Sequence, residues 1–288
     1  MRDFTRDIQW LSINTATVRK QWTLDKIIDG CARRGIRAIS PWRDQVAAIG
    51  LDATARLLKD TGIVLSGYCR GGFFPASTTQ GLRDALDDNR RAIDEAKTLD
   101  APCTVLVVGA LPGALTGQPE SKDIALARSQ VHDGIAATME YAREVGMSLS
   151  IEPLHPMQAA ERACVNTLEQ ALDLCDAIDP SGSGMLGVAV DAYHVWWDPK
   201  LPSQIARAGA RRLHAWHVCD WLTPTTDLVS DRGMMGDGVI ELRKIRGWLE
   251  DAGYAGFAEV EIFSEKDWWQ RPGDEVLDTC VERHLRCV

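Results

Sequence analysis

The chain has eight cysteines but no Cys-x-x-Cys pair. Cys31, Cys69, Cys103, Cys164, Cys175, Cys219, Cys280 and Cys287 are scattered over 288 residues. That spread suits reduced core thiols and not a disulfide framework. An apolar leader is also missing, since the chain starts MRDFTRDIQW, and no later run approaches a membrane span. A cytoplasmic protein with no membrane partner is expected. Positive charge is in deficit, with 32 Lys and Arg against 41 Asp and Glu and a formal net charge of −9. Such a chain repels phosphate backbones, so no nucleic-acid partner is expected. No Pro/Gly-rich linker and no usable internal repeat breaks the chain, and residues 1–288 read as one domain. No Gly-rich dinucleotide fingerprint follows the first β-like run.

What the chain does have is apolar content and a steady βα rhythm. Hydrophobic residues make up 45%, enough for a large core. Ten tryptophans leave some to line a site or an interface. Short β-like runs occur at 8–14, 37–40, 63–69, 103–109, 147–152, 186–191, 213–218 and 257–263. Amphipathic helical runs separate them. TLDKIIDGCARRG at 23–35 has a Thr cap, apolar residues at helical spacing and a terminal Gly. A longer helical run covers 121–146, and GDEVLDTCVERHLRCV closes the chain. Eight such units imply a parallel sheet. At this length they favour a closed (β/α)8 TIM barrel of the α/β class, with an open doubly wound sheet as runner-up. Longer loops are expected at 109–120 and 219–238.

In a parallel barrel the C-terminal strand ends share one face, where reactive groups belong. Four consecutive predicted strands each bring a metal-capable side chain there: Glu152, Asp191, His217 and Glu261. One carboxylate at a strand end is more often a helix cap or a solvated loop group. Four in succession are hard to assign to chance. Strand parity agrees, because Ser148, Ser150 and Glu152 alternate with Leu149 and Ile151, and Gly187, Ala189 and Asp191 alternate with Val188 and Val190. The small and polar set belongs inside the barrel and the bulky apolar set under the helices. Neighbouring carboxylates in a low-dielectric cavity repel, and a divalent cation offsets that. Three carboxylates and one imidazole suit Mn²⁺ or Mg²⁺, with Co²⁺ or Zn²⁺ as further options. Glu259 shares the parity of Glu261 and is the alternative fourth ligand; Glu261 lies nearer the rim.

The elements IEPLHP, VDAYHVWWDP, HAWHVCD, DRGMMGDGVIEL and GYAGFAEVEIF lie over residues 147–263. In order and spacing this half resembles the sugar phosphate isomerase/epimerase superfamily, with its xylose isomerase-like TIM barrel. The first half agrees only in its βα rhythm. The resemblance implies one divalent metal on Glu152, Asp191, His217 and Glu261. It implies substrate contacts from His194 and Arg232, a further polar group at Asp220, and a Gly-rich turn at 236–238. Ketose 3-epimerases carry Asn-Arg after Glu-Pro-Leu, whereas this chain has His155-Pro156, and Gln158 stands where a further Glu is expected. His155 is read as a substrate contact or second base, or as a backbone-bonded turn residue. Trp196, beside Trp197, is read as a stacking wall for a sugar ring or as packing. The DWW at 267–269 is assigned to the mouth or an oligomer contact. Arg70, Asn14 and Trp42 follow strands one to three and are weaker candidates. Arg70 in particular is read first as a surface or ion-paired residue. Cys69 and Cys219 are read as packing residues.

The activity these readings imply is a metal-dependent isomerase or epimerase acting on a small-molecule sugar or keto-polyol. Glu152 and Glu261 would move a proton beside the carbonyl through an enediolate. A lyase or dehydratase acting by β-elimination on a 3-keto sugar or 3-keto glycoside is the alternative. An apurinic-site nuclease-like hydrolase is remote, because that chemistry uses several zinc ions and many histidines and this chain has six. A barrel that only binds is disfavoured by the full ligand set. No phosphate-gripping motif stands out, which points to a non-phosphorylated substrate. A homo-oligomer is left open.

Overall fold

Residues 2–288 are described by the computed structural model. Among them the strands, in chain order, are β1 (Leu11–Asn14), β2 (Ala38–Ser40), β3 (Val64–Leu65), β4 (Tyr68–Gly72), β5 (Cys103–Val107), β6 (Ser148–Ile151), β7 (Leu186–Asp191), β8 (Leu213–Val218), β9 (Asp220–Trp221), β10 (Arg232–Gly233) and β11 (Ala258–Val260). Nine of them form one sheet in the order β3-β2-β1-β11-β8-β7-β6-β5-β4, and every pairing in it is parallel. β9 and β10 make a small antiparallel pair over the rim. The architecture is a nearly closed TIM barrel of the α/β class.

The third expected strand, 63–69, is in fact two. β3 pairs with β2, and β4 pairs with β5 on the far edge of the sheet. Two neighbouring residues cause the break. The Ser66 hydroxyl donates to Glu259 Oε2 at 2.8 Å, and a Cβ built on Gly67 would also face that oxygen, at 3.7 Å. Consecutive residues facing the same side end the period-two alternation of a strand and bend it. The bend carries the chain across the gap. Ser66 N–H donates to Ile39 O at 2.9 Å and Cys69 N–H to Pro41 O at 3.1 Å, which ties the bend to β2.

Inside and outside follow the parity read from the sequence. Leu149, Ile151, Val188 and Val190 are fully buried in the main apolar core, which also takes in residues of the helix layer. Each such side chain contributes roughly 1.5–3 kcal/mol by leaving water. A second small cluster of Cys69, Val105, Ala189 and Ala215 fills the barrel interior with modest side chains. Ser12, Ser40, Ser66 and Ser150 are buried as well. Small interior residues leave room for carboxylates at the top.

The helices form where apolar residues recur at helical spacing. Leu24–Arg33 buries Leu24, Ile27, Ile28 and Cys31. Ile124–Val145 starts at Asp123, whose carboxylate accepts the Leu126 N–H at 2.9 Å, and ends at Gly146 in the left-handed region. The closing helix is Gly273–Cys287. All eight cysteines are unpaired, and all but Cys287 are buried. No helix among the described residues is long and apolar enough to cross a membrane.

Candidate functional site

Glu152 follows β6, Asp191 ends β7, His217 lies on β8 and Glu261 follows β11. These four elements are consecutive in the sheet, so their side chains converge at one end of the barrel. One ligand-type atom from each lies within 4.8 Å of the others, and all four residues are buried. Asp191 and His217 are also register partners across β7 and β8.

The polar atoms are arranged as if around a shared point. Glu152 Oε1 lies 2.7 Å from His217 Nδ1. The pair is close enough for a hydrogen bond, yet both atoms are buried without one. Both atoms face common space, the arrangement of co-ligands of one ion. The donor set, three carboxylates and one imidazole, fits an oxygen-preferring divalent ion.

Glu259 sits beneath this group and not in it. Its Oε1 lies 3.5 Å from His217 Nε2, on the other side of the ring from Glu152. It accepts the Asn14 Nδ2–H at 2.8 Å and the Ser66 hydroxyl at 2.8 Å. Glu261, and not Glu259, is the glutamate grouped with Glu152, Asp191 and His217. Burial alone would lower the His217 pKa, but Glu259, Glu152 and Glu261 overcome it and hold it well above the usual value.

Arg232 comes from β10 and closes the group from above. Its Nη1 donates to Asp191 Oδ2 at 3.1 Å and Glu261 Oε2 at 2.9 Å. The guanidinium carbon lies 4.5 Å from the Tyr193 ring centre and 5.0 Å from that of Phe263. The two carboxyls on this one nitrogen behave differently. Burial opposes the Asp191 charge, but Arg232 and His194 more than offset it and hold its pKa below the ordinary value. Burial raises Glu261 to about 8 against the pull of Arg232 and His217.

His194 accepts the His155 N–H on Nδ1 at 3.2 Å, which puts the ring proton of the neutral form on Nε2. Nε2 lies 3.2 Å from Arg232 Nη2 and 3.4 Å from Asp191 Oδ2. Two donors cannot bond each other, so in this tautomer the Nε2 proton belongs with Asp191. Burial pushes His194 down to about 3; the ring is neutral.

The cavity over these groups is lined by Glu152, Glu261, His194 and Arg232, with Trp42, Phe73 and Phe263 as its aromatic wall. Gln158, Arg70, Arg162 and Val229 complete the mouth. Three sequence-derived contacts are not among the lining residues. His155 stacks on Trp221 at 4.8 Å, and its Nδ1 accepts the Met157 N–H at 3.3 Å; it is a turn residue that positions His194. Trp196 packs against Trp221 with ring centres 5.8 Å apart. Asp220 accepts backbone N–H groups of Gly236, Ile240 and Trp221, each at 2.9 Å, and so anchors the Gly-rich turn. Asn14 accepts the Trp42 indole N–H at 2.8 Å, linking the wall to Glu259.

Phe73 and Arg162 carried no strand-end signal. Phe73 has φ +54, an uncommon state for a non-glycine residue. Gly72 before it has φ +106, and a Cβ there would lie 1.9 Å from Val107 O. Asn89 pins this turn by accepting the Gly72 N–H at 2.6 Å and donating to its carbonyl at 2.9 Å. Strain held in this way is typical of functional loops.

Comparison with known proteins agrees with the architecture. The model of the family described as xylose isomerase-like TIM barrel matches residues 28–280. The chain belongs to that family. An inosose isomerase of Halalkalibacterium halodurans is 22% identical over 96% of each chain. A fructoselysine 3-epimerase of Shigella flexneri is 30% identical over 62% of this chain and 59% of its own. A solved protein of Sinorhizobium meliloti superposes with a TM-score of 0.92 at 56% identity, covering 98% of this chain and 99% of its own. A crystal structure of the IolI protein with a bound zinc atom has a TM-score of 0.81 at 19% identity, over 96% and 97% of the two chains.

Proposed function

We propose that this protein is a divalent-metal-dependent isomerase or epimerase of a sugar or keto-polyol. The observation that carries this reading is the convergence of Glu152, Asp191, His217 and Glu261 at the floor of a cavity with a polar floor and an aromatic wall. The inosose isomerase and fructoselysine 3-epimerase relatives support the reaction class. Oxygen-rich ligation favours Mn²⁺, with Mg²⁺, Co²⁺ or Zn²⁺ as alternatives. When bound, the ion supplies positive charge that stabilises the oxyanion of an enediolate.

The chain's own residues divide the remaining work. Glu152 and Glu261 are the outer members of a four-strand arc, so they flank whatever lies over His217. One carboxylate removes the proton from the carbon beside the carbonyl, and the electron pair moves onto the carbonyl oxygen. The other returns a proton. Return to the opposite face of the same carbon gives the epimer; return to the former carbonyl carbon, with the proton of the neighbouring hydroxyl passing to the old carbonyl oxygen, gives the isomer. Arg232 offers N–H donors to substrate oxygens, and Trp42, Phe73 and Phe263 exclude water from the carbanion side.

The test is turnover of keto sugars and keto-inositols by the Mn²⁺-loaded enzyme in deuterated water. Deuterium at the carbon next to the carbonyl, with an epimer or isomer as product, is the expected result. Release of water or an aglycone would move the assignment to elimination. Absence of exchange on any member of the panel would overturn it.

A further inference from the structure

Arginines in this acidic protein are generally paired. Arg43 holds Asp88 and Glu95, Arg207 holds Asp173 and Asp176, and Arg232 holds Asp191 and Glu261. Two at the cavity mouth are not. Neither guanidinium of Arg70 or Arg162 has a hydrogen-bond or ion-pair partner among the described residues. Both are half-buried and line the same cavity as Glu152, His194 and Arg232. They arrive from neighbouring parts of the rim, Arg70 from β4 and Arg162 from the loop after β6, with β5 between them.

The local structure holds Arg70 without neutralising it. Its guanidinium carbon lies 4.0 Å from the Phe73 ring centre and 5.8 Å from that of Trp42. Stacking of this kind uses the face of the guanidinium and leaves its edge of N–H donors free. The strained turn at 72–73, pinned by Asn89, fixes the ring it stacks on. Two cations in one cavity also disfavour each other. Burial, with Arg162 nearby, pulls the Arg70 pKa down to about 10. Burial lowers that of Arg162 too, and Arg232 adds to the effect. Glu161 and Asp227 act on Arg162 and Glu152 on Arg70 from a distance, but no carboxylate among the described residues is within ion-pair reach of either guanidinium. Such a pair costs stability in the free protein and is compensated by an incoming anion.

We propose that Arg70 and Arg162 form an anion subsite, and that the substrate is an acidic sugar or acidic keto-polyol whose carboxylate or phosphate lies between them. This rests on the isomerase reading for the identity of the sugar, and a phosphate there would reverse the expectation of a non-phosphorylated substrate. In the bound state the anion lies at the mouth, and the reacting carbon is directed down toward Glu152 and Glu261. The anion is bound and not transformed.

Binding without turnover tests the subsite separately from the chemistry. Trp42 lies beside Arg70, so tryptophan fluorescence and calorimetry of the Mn²⁺-loaded protein report occupancy. The probes are D-glucitol, D-gluconate and D-glucitol 6-phosphate, which share a carbon chain and differ in charge. The expected result is that at least one anionic probe binds about tenfold or more tighter than D-glucitol. Preference for gluconate assigns a carboxylate, and preference for the phosphate ester assigns a phosphate. Arg70→Met and Arg162→Met should each reduce the advantage, the double variant should erase it, and Arg70→Lys should retain part of it. Circular dichroism checks folding; if Arg70→Met fails to fold, Arg162→Met and the wild-type ranking still decide. Equal binding of all three probes, or an advantage that survives loss of both arginines, would overturn the subsite even if deuterium exchange proves the isomerase.

Discussion

Glu259 holds His217 from below. Its Oε1 faces Nε2 at 3.5 Å, while Nδ1 on the far side of the ring meets Glu152 Oε1 at 2.7 Å. The imidazole is therefore flanked by a carboxylate on each side. A carboxylate behind a ligating histidine fixes the tautomer and raises ligand basicity.

Glu259→Gln should weaken Mn²⁺ binding by roughly 10–100-fold, the usual cost of losing such a support. It should do so with the cavity-facing residues unchanged. Metal titration by calorimetry, with Glu261→Gln measured alongside, checks this. Unchanged metal affinity would reduce Glu259 to a packing group.

Removing the divalent ion with a chelator should abolish turnover, and adding Mn²⁺ should restore it. Glu261→Gln keeps a side chain for Arg232 but no base. Its kcat should fall by about 10²–10⁴-fold, the range for general acid–base groups. Metal content measured on the same sample separates a lost base from a lost ligand.

Gly72→Ala should destabilise the protein by at least roughly 2 kcal/mol, since it combines a left-handed backbone with overlap. The added Cβ would lie 1.9 Å from Val107 O. Urea melts read the stability loss. Activity should fall further than the loss of folded protein explains, because the turn carries Arg70 and Phe73.

His284 gives the fold a pH dependence remote from the cavity. It stacks on Phe4 with centroids 4.8 Å apart, and neither ring nitrogen has a hydrogen-bond partner. Burial, helped by Arg246 and Arg2 against Asp7, pushes its pKa down to about 4 from 6.5. The unfolded chain thus binds a proton that the folded chain refuses. Stability is full above pH 6.5 and is lost as pH falls toward 4, by roughly 3 kcal/mol in all. His284→Leu should flatten that part of the profile, and melts at several pH values across this interval measure the difference.

The barrel and the rim carboxylates were legible because both follow from period. Alternation of small and bulky residues on β6 and β7 sets which side chains face inward, and parallel strands then place Glu152 and Asp191 together. Other features have no period. The break at Ser66 and Gly67 comes from two neighbours facing Glu259, a residue nearly two hundred positions away. Arg162 reaches the mouth from a loop without strand or helix pattern. Asp220 and His155 sit in motifs that look like ligands, yet both Asp220 oxygens and His155 Nδ1 accept backbone N–H groups, a competition no spacing reveals. The first half appeared uninformative, although Trp42, Arg70 and Phe73 supply much of the wall.

The bend at 66–67 also ties architecture to assembly. The segment that carries the third strand from one sheet edge to the other delivers the Ser66 hydroxyl to Glu259, and Glu259 backs His217. Ring closure and completion of the site are thus one event. A chain whose ring is still open lacks a donor on the carboxylate that orients its central imidazole. Recovery of metal binding during refolding should therefore be a clock for closure itself, keeping time with the last step of the barrel and not with formation of the individual βα units.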